Sequence, residues 1–216
     1  MTELPRPACS GSAVPTDCAY HLTLTPANEP PRLRADAARN RKRLLEVAAE
    51  LAEAHGVANV TMEAVAVAAG VGKGTVFRRF GDRMGLMLSL VDHIEQQLQA
   101  AFITGPPPLG PGAPPLERLH AFGPAVIRHE DAHRDLYLAV RRQNQRFEPS
   151  FQLRLTHVTL LLRQIGAPGD IELTGYTLQA YLDTPLIQHL LRTRGMSVER
   201  LEAGWRDLVD RLGTPR

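Results

Sequence analysis

Apolar positions along this chain recur at three and four residues and never alternate as in a half-buried strand, so the pattern predicts an all-α protein. Leu44, Val47, Ala48, Leu51 and Ala52 form the first stripe, and Gly56, after His55, ends it in the left-handed conformation. Val65, Ala66 and Ala69 form a short second stripe behind Thr61, whose side-chain oxygen caps a free N–H near Glu63 and Ala64. Gly70 then turns the chain sharply, as a residue without Cβ can. Val71 closes the turn, and Val76 and Phe80, four apart, seat a third short helix. Small Ala66 lets the second and third helices cross closely, near a right angle. Leu86, Leu90, Ile94, Leu98 and Phe102 step by four along a longer helix that links this three-helix head to the rest.

Residues 105–115, GPPPLGPGAPP, halt regular structure, because proline and glycine both stop helices. Helices follow over 116–129, 131–145 and 151–165, with Asp131 capping the second and Pro149 preceding the third. A helix over 171–194, bent at Pro185, and one over 197–212, capped by Ser197, complete the body. The organisation expected is a leader over 1–31, a head over 32–85 and a helical effector-binding and dimerisation body over 86–216.

Composition changes this picture in one place. The net charge is only +2 over 216 residues. Residues 32–83, however, carry ten basic and six acidic side chains, whereas residues 84–216 carry fourteen of each. Positive charge gathered in the head suits a polyanion better than a small substrate. The third helix leaves Lys73, Gly74, Thr75, Phe77, Arg78 and Arg79 on its outer side, a slim basic face that fits a DNA major groove. The basic run before the first helix, RLRADAARNRKR, is a candidate arm for the backbone or the minor groove. Six prolines in residues 1–31 predict a disordered leader, and its Cys9 and Cys18 are too few for a zinc site or a disulfide scaffold. Neither a membrane span nor a secretion signal is legible, so a cytoplasmic protein is expected.

On the run Gly70–Val71–Gly72–Lys73–Gly74–Thr75–Val76–Phe77–Arg78–Arg79–Phe80–Gly81–Asp82–Arg83 the chain resembles the TetR family of transcriptional regulators, whose core reads G-V-S-K-G-T-[LIV]-Y-x-H-F-x-[SD]-K. The resemblance covers about residues 37–96 and is architectural beyond. Gly72, Phe77, Arg79 and Arg83 depart from the usual Ser, Tyr, His and Lys. It implies a homodimeric repressor that binds operator DNA and is released by a small molecule. Thr61, Lys73, Arg83 and the backbone at Gly74 would hold phosphates, while Thr75, Phe77 and Arg78 face base edges. No cofactor is implied.

In the body, Phe122, His129, Tyr137, Phe147, Phe151, His157 and Tyr176 are candidates for an effector pocket suited to an apolar or aromatic molecule. Tyr181, Ile187, Leu191, Leu201, Trp205 and Leu208 are candidates for a two-fold dimer interface. His129–Glu130–Asp131–Ala132–His133 matches the H-E-x-x-H pattern of zinc hydrolases. It falls at an expected helix boundary with no third ligand at recognisable spacing, so a non-enzymatic protein is expected. A sequence-neutral, nucleoid-type DNA binder is the other alternative.

Overall fold

The computed structural model describes residues 31–140 and 148–213, with backbone alone at 31–34 and 148–149. The expectation for the leader therefore lies outside the described residues up to position 30, as does Phe147. Every contact named below lies within residues 38–216.

The described residues form ten α-helices, one 3₁₀ turn and one π turn, and no strand occurs among them. The head comprises α1 (Pro31–His55), α2 (Met62–Ala69) and α3 (Lys73–Phe80), with a 3₁₀ turn at Val57–Asn59. Gly56 takes φ 80°, ψ 152°, so it ends α1 through an extended glycine conformation rather than a left-handed helical one. Thr61 caps α2, its hydroxyl accepting the Ala64 N–H at 3.0 Å. Gly70 is left-handed at φ 67°, ψ 34°, and swings the chain into α3.

The linking helix α4 (Arg83–Ile103) is capped by the Asp82 carboxylate, which accepts the Gly85 N–H at 2.7 Å. It serves two cores. Leu86, Leu90 and Ile94 pack with Leu44, Val65, Val76 and Phe80 of the head, whereas Leu98 and Phe102 belong to a second core in the body. The head's core also takes Leu136, Tyr137 and Val140 from α6 (Arg134–Val140), so its packing extends past residue 85.

Two expected boundaries are corrected. The first body helix, α5 (Pro115–Ala132), continues through His129 and Glu130 and ends at His133, so Asp131 is not a cap. Asp131 instead accepts a hydrogen bond from Arg192 at 2.6 Å. Pro124 lies inside α5, where burial of Phe122, Val126 and Ile127 around it offsets the roughly 3 kcal/mol that an interior proline costs. After α7 (Glu148–Gln164), the single bent helix expected over 171–194 is three pieces: α8 (Ile171–Tyr181), α9 (Thr184–Gln188) and a π turn at His189–Thr193. Pro185 is the cause. Its ring would strike the carbonyl four residues back, at Tyr181, which is where α8 stops, and it lies in the first turn of a new helix instead.

The last helix, α10 (Val198–Gly213), packs along α5. Trp205 lies over Gly123 and donates its indole N–H to the Leu119 carbonyl at 2.8 Å. Leu201, Trp205, Ile187 and Leu191 are therefore interior residues of the body, a correction to their expected place on a dimer face. Tyr181 is half-buried and donates to the Leu201 carbonyl at 2.7 Å, and Leu208 alone of the six is exposed. A stripe at helical spacing has only one apolar side, and α5 has taken it.

Candidate nucleic-acid interface and ligand cavity

The outer side of α3 is built from what its inner side buries. Val76 and Phe80 are inside, so at 100° per residue Gly74, Phe77, Arg78 and Arg79 must face outward, and they are exposed, with Thr75 half-buried at the edge. Phe77 remains 38% exposed, and the Lys73 ammonium stands 5.3 Å from its ring centroid. Lys73 also pairs with Glu63 of α2, and both side chains are more than half exposed. Such a pair is worth little in water, so it does not hold Lys73 back from a stronger anion. Gly72, standing where the TetR pattern has Ser, gives α3 no side-chain cap, which leaves the first N–H groups of the helix open.

Some predicted contacts are engaged elsewhere. Arg83 donates to the Val60 carbonyl at 2.9 Å and the Val57 carbonyl at 2.7 Å, tying the start of α4 to the turn before α2. The Thr61 hydroxyl carries the α2 cap. Within the basic run, Arg41 donates to Ser89 at 2.9 Å and lies 5.6 Å from the Phe80 ring centroid, and Arg43 donates to the Ala69 carbonyl at 3.3 Å. These cations brace the head.

A cavity of about 540 Å³ lies in the body, among α4, α5, α6, α7, α8 and α9. Of the predicted pocket residues, Tyr137 and Phe151 line it. Phe122 and His157 do not. They stack with Phe102 at centroid distances between 4.6 and 5.3 Å, inside the body core. Burial, helped by the Arg118 charge, pushes the His157 imidazole down to about 4, so it is neutral at physiological pH. Tyr176 is on the surface beside Phe151, at 6.2 Å between centroids, and His129 stands behind the wall, its Nε2 3.0 Å from the Tyr137 hydroxyl. The His129 and His133 rings lie 4.6 Å apart, but His133 Nδ1 contacts the carbonyl of His129, and Glu130 points into the body. The H-E-x-x-H spacing thus does not assemble as two ring nitrogens around a shared point with a free carboxylate base.

The cavity wall is also far more polar than expected. Arg154 from α7 donates to both oxygens of Glu95 on α4, at 2.7 and 2.9 Å, and to Glu130 on α5 at 3.2 Å. Tyr137 donates to Glu95, and Thr184 to Glu130 at 2.7 Å. All three charged groups are buried. The two carboxyls respond oppositely. Burial would raise Glu95, but His129, Arg154 and Tyr137 outweigh it and hold the carboxyl at about 2. Burial prevails at Glu130, which lies above the usual carboxylate range despite Arg154 and Thr184. Sequence reading missed Glu95 and Arg154 and read Glu130 only as part of the H-E-x-x-H pattern. Their only signal was a charged residue interrupting an apolar stripe, as Glu95 does between Val91 and Leu98, or Glu130 after Val126 and Ile127.

Residues 44–90 match the model of the bacterial regulatory proteins, tetR family, which spans α2 and α3 and the halves of α1 and α4 that pack on them. Over these residues the head carries the pattern of the TetR family. Curated relatives agree over this TetR-type head: an HTH-type transcriptional regulator of Staphylococcus aureus strain bovine RF122 / ET3-1 is 37% identical over 59 residues, 27% of this chain and 32% of that protein. Its counterpart in strain USA300 is 41% identical over 54 residues, 25% of this chain and 29% of that one. The chain thus spans about a third of the length of the curated relatives it matches. Solved structures extend the likeness to the body. A TetR-family regulator from Streptomyces coelicolor aligns at TM-score 0.55 and 20% identity over 86% of this chain and 98% of that one. A chain from Saccharomonospora viridis solved with choline aligns at 0.59 and 19%, over 80% and 96%. NalD of Pseudomonas aeruginosa, the secondary repressor of the MexAB-OprM efflux pump, aligns at 0.52 and 21%, over 82% and 98%. At these identities the likeness is one of fold.

Proposed function

We propose that this chain is a DNA-binding transcriptional regulator, a homodimeric repressor whose operator affinity falls when a small molecule enters the body cavity. The observation that carries the reading is the exposed face of α3, where Lys73, Phe77, Arg78 and Arg79 project from a helix seated by Val76 and Phe80. A rigid helix of eight residues, about 12 Å long, fills one major-groove half-site, and its partner copy would address a second about 34–36 Å away. Lys73 and the open N–H groups at the start of α3 suit phosphates, which set register. Thr75 and Arg78 suit base edges, which discriminate.

Two substitutions separate these roles. Lys73→Ala should weaken binding to every DNA and flatten the salt dependence by about one phosphate. Arg78→Ala should cost about 1–3 kcal/mol on the operator and little on random DNA. Fluorescence anisotropy on the DNA upstream of the chain's own gene, at several salt concentrations, reads both. Unchanged operator affinity in both variants would remove α3 from the DNA and end the proposal.

For pairing, the body offers the exposed side of α7 and α8. Leu160 of α7 and Leu173 and Tyr176 of α8 are 48%, 64% and 43% exposed, large apolar side chains on two helices packed together. Such a patch suits a second copy across a two-fold axis. Leu173→Arg should convert a dimer into monomers in analytical ultracentrifugation without lowering helix content, and a variant that stays dimeric would move the interface elsewhere.

The reading of ligand response is supported by shared residues. Tyr137 packs in the head's core and also lines the cavity, and Glu95 sits on α4 one position past Ile94 of that core. A molecule binding at these two groups touches the elements that hold α3. It shifts the heads only as far as its affinity differs between their two arrangements.

A further inference from the structure

Resting on the regulator reading, we propose that the effector is an organic cation bearing N–H donors, a protonated amine, whose charge is received by Glu130 on the cavity wall. The cavity lining holds two buried carboxylates, Glu95 and Glu130, against one buried guanidinium, Arg154, and the His129 ring behind the wall stands 3.7 Å from Glu95. Charges at the rim do not supply the balance. Arg192 is bound to Asp131 at 2.6 Å and Arg134 to Asp135 at 3.4 Å. The deficit falls on one side. Glu95 accepts two contacts from Arg154 Nη2 and one from Tyr137 and has His129 beside it, whereas Glu130 has a single longer contact from Arg154 Nη1 and the Thr184 hydroxyl.

Two further atoms show that the wall is built for a polar guest. The Gln188 Oε1 acceptor is buried without a hydrogen-bond partner, on a side chain that lines the cavity and whose amide donates to the Glu130 carbonyl at 3.2 Å. Arg154 Nε, on another lining residue, is likewise an unmatched donor. A buried acceptor left without a donor is costly, and a ligand N–H would satisfy it. An ammonium group satisfies Glu130 and Gln188 together, an alcohol only in part, and a carboxylate repels Glu130. Phe151, Leu138 and Leu182 complete the wall as a seat for an apolar tail. Burial also lifts the Glu130 carboxyl above the ordinary carboxylate range.

The test uses three probes of one shape, 4-phenylbutylamine, 4-phenylbutan-1-ol and 5-phenylpentanoate, titrated calorimetrically into the full chain. The titrations are run at pH 8, where an aliphatic ammonium remains charged. The amine should bind at least tenfold tighter than the alcohol, with the acid weakest, and Glu130→Gln should bring amine and alcohol within about threefold. An alcohol or acid that binds as tightly as the amine overturns the proposal, and so does the absence of binding by all three at millimolar concentration. Wild-type protein alone decides this, should the variant fold poorly. Operator release, read on the same samples, separates the two claims. Amine binding without release would sink ligand response but leave the cation site standing, whereas release by the alcohol alone would do the reverse.

Discussion

Glu95→Gln should lower the stability of the protein by about 3 kcal/mol at pH 7, and Glu130→Gln, a few ångströms away in the same network, should not lower it at all. The Glu95 carboxyl is held at about 2 against an ordinary 4.5, and each unit is worth about 1.4 kcal/mol of preference for the ionised form in the folded state. Because the folded value is depressed, this stability is complete above about pH 4.5 and is lost as pH falls through about 2. Wild type and Glu95→Gln should therefore converge in acid. Removing the Glu95 charge also leaves Arg154 buried with only its weaker partner, the costly way to break a buried pair. At Glu130 the sign reverses. A carboxyl raised on folding favours the fold at low pH and loses that advantage as pH rises through its folded value, so ionising it counts against the fold. Arg154 keeps both contacts to Glu95 when Glu130 becomes glutamine. Urea unfolding of the three proteins at pH 7 and pH 3 checks the pattern. Equal losses from both substitutions at pH 7 would show that Arg154 is shared evenly and would remove the uncompensated charge from the cavity.

Gly123→Ala should disrupt the body with a single methyl group. A Cβ at position 123 would lie inside the Trp205 indole, against ring atoms held in place by the bond to the Leu119 carbonyl and by packing on Phe122 and Tyr181. Rigid rings cannot yield as the end of a flexible side chain can, so α10 must move off α5. Overpacking of this kind costs about 3 kcal/mol or more. The chain has one tryptophan, so its emission reports the event directly. A red shift of the wild-type emission, with a melting temperature lower by roughly 6–12 °C, is expected at this chain length. The head's core contains no residue of α5 or α10 and should retain its helices. Wild-type emission and melting temperature in the Gly123→Ala protein would mean that α10 yields to the added methyl group at little cost.

The head was legible because its information is local. A threonine cap, a glycine with φ 67°, and two apolar residues four apart each act over one helical turn, and together they fix which side of α3 is left outside. Stripe positions on α4 were legible for the same reason. All five of Leu86, Leu90, Ile94, Leu98 and Phe102 are buried. The body was legible as helices but not as contacts. Pro185 announced a disturbance whose form, a break at Tyr181, depended on a clash one turn upstream.

What only the tertiary structure decided is which apolar faces meet and where charges find partners. Trp205 and Leu201 read as interface candidates until α5 is laid against them. Glu95, Glu130 and Arg154 come from helices 24 to 59 residues apart, and each alone looks like a solvated side chain. Periodicity records how one helix divides its own surface between water and oil. The pairing of buried charges depends on three helices arriving together, and no window along the chain contains them.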